Sequence, residues 1–267
     1  MKPVLLWELR QRKSYFFWWT IVTIGLITLL LLLYPSIHSQ ATQLNKVLNQ
    51  LPVALRDLKT GGSTVDISSP VGYLNSQLYY LTLPLVQISM AIGLGSSLLA
   101  REEQNRTLEL LLARPISRGK LLFAKAGSGV LLVLGVGFIS ALVTVWLAKV
   151  VDMQISAGYL LLASTYSSLL ALSFGAIAFT LSAASAATRR SSMAVAAAVS
   201  FGGYLLATLS GLSSAIRLPA KLLPYHYYVP TDILQGKVGL GLNLYLLGLL
   251  VVCTIVSWLG FRHRDIS

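Results

Sequence analysis

Residues 101–118 read REEQNRTLELLLARPISR, the one long charged run in a chain of 267 residues of which only 11% are Asp, Glu, Lys or Arg. Between Arg101 and Lys125 stand six of the 21 basic residues and three of the nine acids. Apolar runs flank the stretch on both sides, so it reads as a polar hinge between two hydrophobic spans. Glu102 and Arg106 stand at i,i+4 with the acid first, the favourable order along a helix. Leu108, Leu111 and Leu112 share one face, and Glu109 falls off it. Pro115 drives Arg114 out of the helical region and ends the run. Ser117 is then placed to cap a new helix that begins at Arg118. The spacing predicts a short amphipathic helix held between two spans, with an apolar stripe and both signs of charge to press on another protein. A helix resting on the lipid surface has the same pattern, and periodicity does not choose between them.

Outward from this hinge the chain is apolar. Hydrophobic residues make up 55% of it and the mean hydropathy is +0.72. Several runs exceed the ~18 apolar residues that mark a membrane helix. The fold class expected is therefore all-α: a polytopic membrane protein forming one transmembrane domain over 1–267, with six spans at 16–34, 79–100, 126–148, 159–183, 193–212 and 241–261. Residues 1–15 set Val4, Leu5, Leu6, Trp7 and Leu9 against Glu8, Arg10, Gln11, Arg12 and Lys13, the pattern of an interfacial helix with a Trp at headgroup depth. The apolar run that follows is too long for a signal peptide, and span 1 ends at Pro35.

Residues 37–78 form the longest stretch outside the spans. Leu44, Val47, Leu48, Leu51, Leu55 and Leu58 recur at helical steps, which predicts a second surface helix, kinked near Pro52. Ser68-Ser69-Pro70 marks a turn after it. Residues 213–240 carry Pro219, Pro224 and Pro230 among Tyr225, Tyr227 and Tyr228, a mixture that predicts short interfacial or re-entrant helices. Spans 4 and 5 are rich in small and hydroxyl residues, Ser164, Ser167, Ser168, Ser173, Gly175 and Thr180 among them. Such residues serve close helix packing, and a polar translocation wall would use them too.

The net charge of +12 does not point to nucleic acid, because the cations sit in short loops and at the termini and not on one folded face. They report topology. Fourteen of the 21 Lys and Arg fall on the side of the 101–125 hinge, and seven on the other. The excess of positive charge in loops on the inner side makes that side, with both termini, cytoplasmic. Cys253 lies inside an apolar run and has no second cysteine to pair with. His38, His226 and His263 lack metal-ligand spacing.

No catalytic or nucleotide-binding motif is present. Gly119-Lys120 is followed by Leu121 and has Arg114 where a phosphate-binding loop needs glycine. No acidic residue falls inside a span, so a carboxylate relay for ion-coupled transport has no candidate.

The run Glu103, Thr107, Leu108, Glu109, Leu110, Leu111, Ala113, Pro115, Ile116, Ser117 and Arg118 resembles the "T-L-E-x-L-L-x-x-P-I-S-R" segment of the permease subunits of type-2 ATP-binding-cassette (ABC) exporters. Asn105-Arg106 stands where many members have a glycine before the threonine. Pro224-Tyr225-His226-Tyr227 is similar to that family's "P-[FY]-x-[YF]" stretch ahead of the last span. Phe261-Arg262-His263-Arg264-Asp265-Ile266 is similar to its "F-x-x-R-D-I/L" ending. The resemblance covers nearly the whole chain. It implies a permease subunit of a cell-membrane exporter, in a prokaryotic-type plasma membrane, whose 101–118 segment is the coupling helix. Glu102, Glu103, Arg106, Thr107, Leu108, Glu109, Leu111, Leu112, Arg114, Pro115, Ser117 and Arg118 would then meet an ATPase. It implies no cofactor in this chain, ATP and Mg²⁺ on the partner ATPase, a second permease subunit (the same or related), and lipid around the bundle. The alternative class is a secondary transporter or a non-transporting membrane scaffold, and a co-purifying ATPase separates the permease from both.

Overall fold

A chain with this little charge must satisfy its backbone internally wherever it meets lipid, and a helix does so within one segment. The computed structural model describes residues 2–40, 69–100, 117–184, 189–211 and 213–263, with the single positions 50, 52 and 66. Among them the helices are α1 Lys2–Gln11, α2 Lys13–Leu32, α3 Tyr34–Ser39, α4 Pro70–Leu74, α5 Thr82–Ser97, α6 Arg118–Val150, α7 Ala157–Ala184, α8 Arg189–Leu209, α9 Ser214–Ala220, α10 Pro230–Ile233 and α11 Leu240–His263. A π turn, Asn75–Tyr79, and a 3-10 turn, Pro224–His226, complete the set, and no strand occurs among the described residues. Six stretches are long and apolar enough to cross a membrane: Lys13–Ser39, Pro70–Ser97, Arg118–Val150, Ala157–Ala184, Arg190–Leu209 and Leu240–Arg262. The all-α polytopic fold is the one the composition demands.

Where helix ends differ from expectation, a local cause is visible. Pro35 does not end the first helical stretch. It sits in the first turn of α3, where its missing N–H costs nothing, and helix resumes to Ser39 after a break at Leu33. The second stretch begins at Pro70, not Tyr79. Ser69 is a helix cap and not merely part of a turn, its Oγ accepting the Gly72 N–H at 3.0 Å. Hydropathy misses this start because Asn75, Ser76 and Gln77 are polar, yet Asn75 and Ser76 are buried in the π turn, which closes with the Tyr80 N–H donating to the Asn75 carbonyl at 2.9 Å. At α6 the expected cap is present: Ser117 Oγ accepts the Lys120 N–H at 3.4 Å and the helix starts at Arg118. The Leu44–Leu58 pattern lies outside the described residues.

α7 is the centre of the bundle and packs on α5, α6, α8 and α11. The strongest spanning windows of α5 and α7 are both 67% buried, against 17% for the α2–α3 stretch and 22% for α11, so two inner helices carry the others. α5 and α7 meet backbone to backbone. A Cβ on Gly95 would strike the Gly175 carbonyl oxygen, and one on Gly175 would lie 3.0 Å from both Cβ and O of Ala91. Farther along the same contact Gln87 is buried and hydrogen-bonded through both ends of its amide. Its Nε2 donates to Ser140 Oγ at 3.3 Å, and its Oε1 accepts from Ser167 Oγ at 2.8 Å. The hydroxyls of α7 thus bind helices together, as Ser164 also does by its 2.9 Å contact with the Tyr79 hydroxyl.

The Pro- and Tyr-rich segment folds back into the bundle end opposite the hinge. Tyr228 OH donates to the Tyr79 carbonyl at 3.0 Å, and Tyr225 packs edge-on to Tyr204 with ring centroids 5.8 Å apart. Burial pushes both phenols, Tyr225 and Tyr228, well above the ordinary tyrosine range. His226, beside them, is pushed below its usual value by burial and by Lys221.

Candidate coupling face at the basic end

Residues 101–116 connect α5 to α6, so the described ends of those two helices are where the assigned stretch joins the fold. Of the residues assigned to the coupling stretch, Glu102, Glu103, Arg106, Thr107, Leu108, Glu109, Leu111, Leu112, Arg114 and Pro115 lie outside the described residues. Ser117 and Arg118 are described and both are exposed, Ser117 as the cap and Arg118 donating through Nη1 to the Arg262 carbonyl at 3.3 Å. Gly119, next to it, faces Trp258: a Cβ there would lie 3.6 Å from the indole Nε1. The Arg262 guanidinium covers the same ring at 5.4 Å, a cation–π contact. Gly260 lies directly on the Ala184 backbone. The start of α6 and the ends of α7 and α11 therefore converge.

α1 also packs on α6, and here expectation needs correcting. A surface helix of this sequence would turn Glu8 and Arg12 to water. Instead Leu5, Glu8, Leu9 and Arg12, spaced i, i+3, i+4 and i+7, form the inward face. Glu8 is 1% exposed and Arg12 8%, while Leu6 and Trp7 point outward at 53% and 42%. Lys125 differs too. Counted by sequence among the loop cations, it lies inside α6 with no exposure at all.

These residues meet. One Glu8 carboxylate oxygen accepts from Lys125 Nζ in a short, buried ion pair, and the other accepts from Arg12 Nε at 3.3 Å. Arg12 continues the chain, its Nη1 donating to Ser97 Oγ at 2.9 Å and Nη2 to the Ser97 carbonyl at 3.4 Å. Ser97 Oγ itself donates to the Leu94 carbonyl at 3.0 Å. One carboxylate thus ties α1 to the last turn of α5 and to the third turn of α6, the two helices between which residues 101–116 emerge. Buried charges persist only when paired and hydrogen-bonded in this way. Two signals for this site were present in the sequence: the acid-before-base spacing of Glu8 and Arg12, and a lone Lys125 inside an apolar run.

The arrangement holds helices; it has no nucleophile–base pair. Among the described residues no group of three or more His, Cys, Asp or Glu could hold a metal. Cys253 is buried, with its carbonyl accepting from Thr180 Oγ1 at 3.2 Å. Fold and site together define an integral membrane protein built of six apolar spans with a charged connection between the second and third. The family described as ABC-2 family transporter protein matches residues 8–266, nearly the whole chain, and the chain belongs to that family, the membrane permeases of ABC transporters. The family implies association with an ABC ATPase subunit. No match was found among curated proteins.

Proposed function

We propose that the chain is the permease subunit of an exporter, coupled through residues 101–118 to a separate ATPase that binds ATP and Mg²⁺. A second permease chain, identical or related, completes the translocation pathway. Both termini and the hinge face the cytoplasm of a prokaryotic-type plasma membrane. The observation that carries this reading is the buried carboxylate at Glu8. It makes α1, the end of α5 and the start of α6 one body, so a push on the segment between α5 and α6 reaches the spans without being lost in loose joints.

The test is recovery of the ATPase with the permease. Leu108, Leu111 and Leu112 form the apolar face assigned to a groove on the ATPase, with Glu102, Glu103 and Glu109 at its rim. Truncating a central apolar anchor commonly costs ~2 kcal/mol or more of binding, whereas rim charges act on on-rate and specificity. Leu111→Ala is expected to cut ATPase recovery at least tenfold, and the Leu108/Leu111/Leu112 triple Ala variant to abolish it. Glu109→Ala is expected to do less, with an effect that fades at high salt. Equal recovery for all three variants and wild type would remove the coupling assignment.

Topology is tested separately. With 14 of 21 basic residues on the hinge side, a cysteine placed at Ser117 is expected to resist a membrane-impermeant thiol reagent in intact cells and to react once the membrane is opened. Labelling from outside would invert the assigned orientation.

A further inference from the structure

Between α5, α6, α7 and α11 lies a cavity of about 150 Å³, lined by Gly95, Ala126, Gly129, Gly175, Phe179 and Cys253 among others. That size is comparable with apolar cavities that take up a small hydrocarbon. It opens sideways. α6 and α11 both pack on α7 and touch each other sparingly, and at their seam Phe123 and Val130, lining residues on α6, are 45% and 40% exposed, with Thr254 of α11 exposed opposite. A mouth facing lipid, on an apolar slot made by small residues, admits a chain and excludes a folded partner.

The seam closes toward the start of α6 and the end of α11, and it closes under cations. Arg118 reaches the Arg262 carbonyl across it, Arg262 lies over Trp258, and Lys120 stands exposed on the first turn of α6. On α11, Thr254, Trp258 and Arg262 follow one another at i, i+4 and i+8 on a single face. Helical rise puts Arg262 roughly 7–8 Å above Ser257, and Lys120 roughly 4–5 Å above Phe123, both lining residues of the slot. Positive charge therefore lies about one helical turn from the near end of an apolar slot, within reach of the phosphate of a phospholipid whose acyl chain occupies the slot. The indole between them suits the headgroup boundary.

The geometry points to a binding site for one anionic phospholipid, its phosphate held by Lys120 and Arg262 at the α6–α11 seam and one acyl chain entering the cavity. Under the proposed orientation this lipid belongs to the cytoplasmic leaflet. Bound there, it would wedge between α6 and α11 at the ends that Arg118 and Arg262 join.

The delipidated full-length chain in detergent, titrated with phosphatidylglycerol, phosphatidylcholine or inorganic phosphate and read by native mass spectrometry, tests this. One phosphatidylglycerol is expected to bind about tenfold or more tighter than phosphatidylcholine. Lys120→Gln/Arg262→Gln is expected to bring phosphatidylglycerol down to the phosphatidylcholine level, with a smaller loss for phosphatidylcholine, whose choline cation already offsets the attraction of its phosphate to these residues. Ala126→Phe, which fills the slot, is expected to weaken both lipids. Inorganic phosphate at millimolar concentration is expected not to displace phosphatidylglycerol, and displacement would reduce the site to an ion contact and overturn the proposal. So would equal binding of the two lipids by wild type, or undiminished phosphatidylglycerol binding by the double variant. Both substituted cations of that variant are exposed, so it keeps its force if Ala126→Phe fails to fold. The measurement needs neither the ATPase nor a known orientation, and so stands apart from the coupling and topology tests.

Discussion

Glu8→Gln is expected to lower the stability of the purified protein by about 3–5 kcal/mol, the usual consequence of removing one partner from a buried ion network. The substitution keeps the shape and deletes the charge. Arg12 and Lys125 then face one another with their shared carboxylate gone, at positions 8% and 0% exposed. Burial limits how far water can compensate for the lost carboxylate. The largest local consequence falls on α1, which the carboxylate joins to α5 and α6, so limited proteolysis should cut the N-terminal helix before any span. Lys125→Met added to Glu8→Gln removes one of the two buried cations and is expected to restore part of the loss, because much of the penalty comes from buried charge that has lost its carboxylate. The unfolding midpoint and the proteolysis rate measure both effects. A wild-type midpoint for Glu8→Gln would mean that the network contributes nothing net.

Gly95→Val should be as damaging for a different reason. Inserting methyl groups into a packed interior costs about 1–3 kcal/mol when neighbours can adjust. Here the neighbours are backbone: the Gly175 carbonyl, and the Phe179 nitrogen at 3.1 Å from where a Cβ would lie. Backbone cannot change rotamer, so α5 and α7 must separate along their contact, and ~3 kcal/mol or more is expected. Gly248→Ala is the control, since nothing lies within 4 Å of the added carbon, and it should stay within about 0.5 kcal/mol of wild type. Monodisperse yield and unfolding midpoint separate them. A Gly95→Val protein as stable as the control would show that the two helices do not meet at this point.

Much of the fold is written in hydropathy. Length and apolarity settle six spans because lipid admits little else, and the Ser117 cap follows from three residues in a row. What hydropathy obscures is polarity used inside. The start of the second stretch is hidden by Asn75, Ser76 and Gln77, which read as loop until Ser69 is seen capping the helix. The inward face of α1 is hidden for a related reason. Charge along one segment says which residues prefer water, but Glu8 answers to Lys125, 117 residues away, and Arg12 to Ser97, 85 residues away. A preference for water loses to a partner that local spacing does not reveal. Of the coupling stretch itself only Ser117 and Arg118 are described, and its legibility rests on motif and periodicity.

Gln87 carries a consequence for biogenesis. The chain enters the membrane from its N-terminus, and the amide on α5 arrives before either of its partners. Ser140 is 53 residues behind it and Ser167 is 80 residues behind. At roughly 5–20 residues per second of synthesis, this polar side chain waits on the order of 4–16 s for its full complement. During that interval an unsatisfied amide in lipid favours keeping α5 near water or near the insertion machinery. The inner helix is thus the one least able to settle early, and the bundle closes only when α7 arrives to claim it. Translation speed across residues 100–170 becomes a folding parameter for this protein.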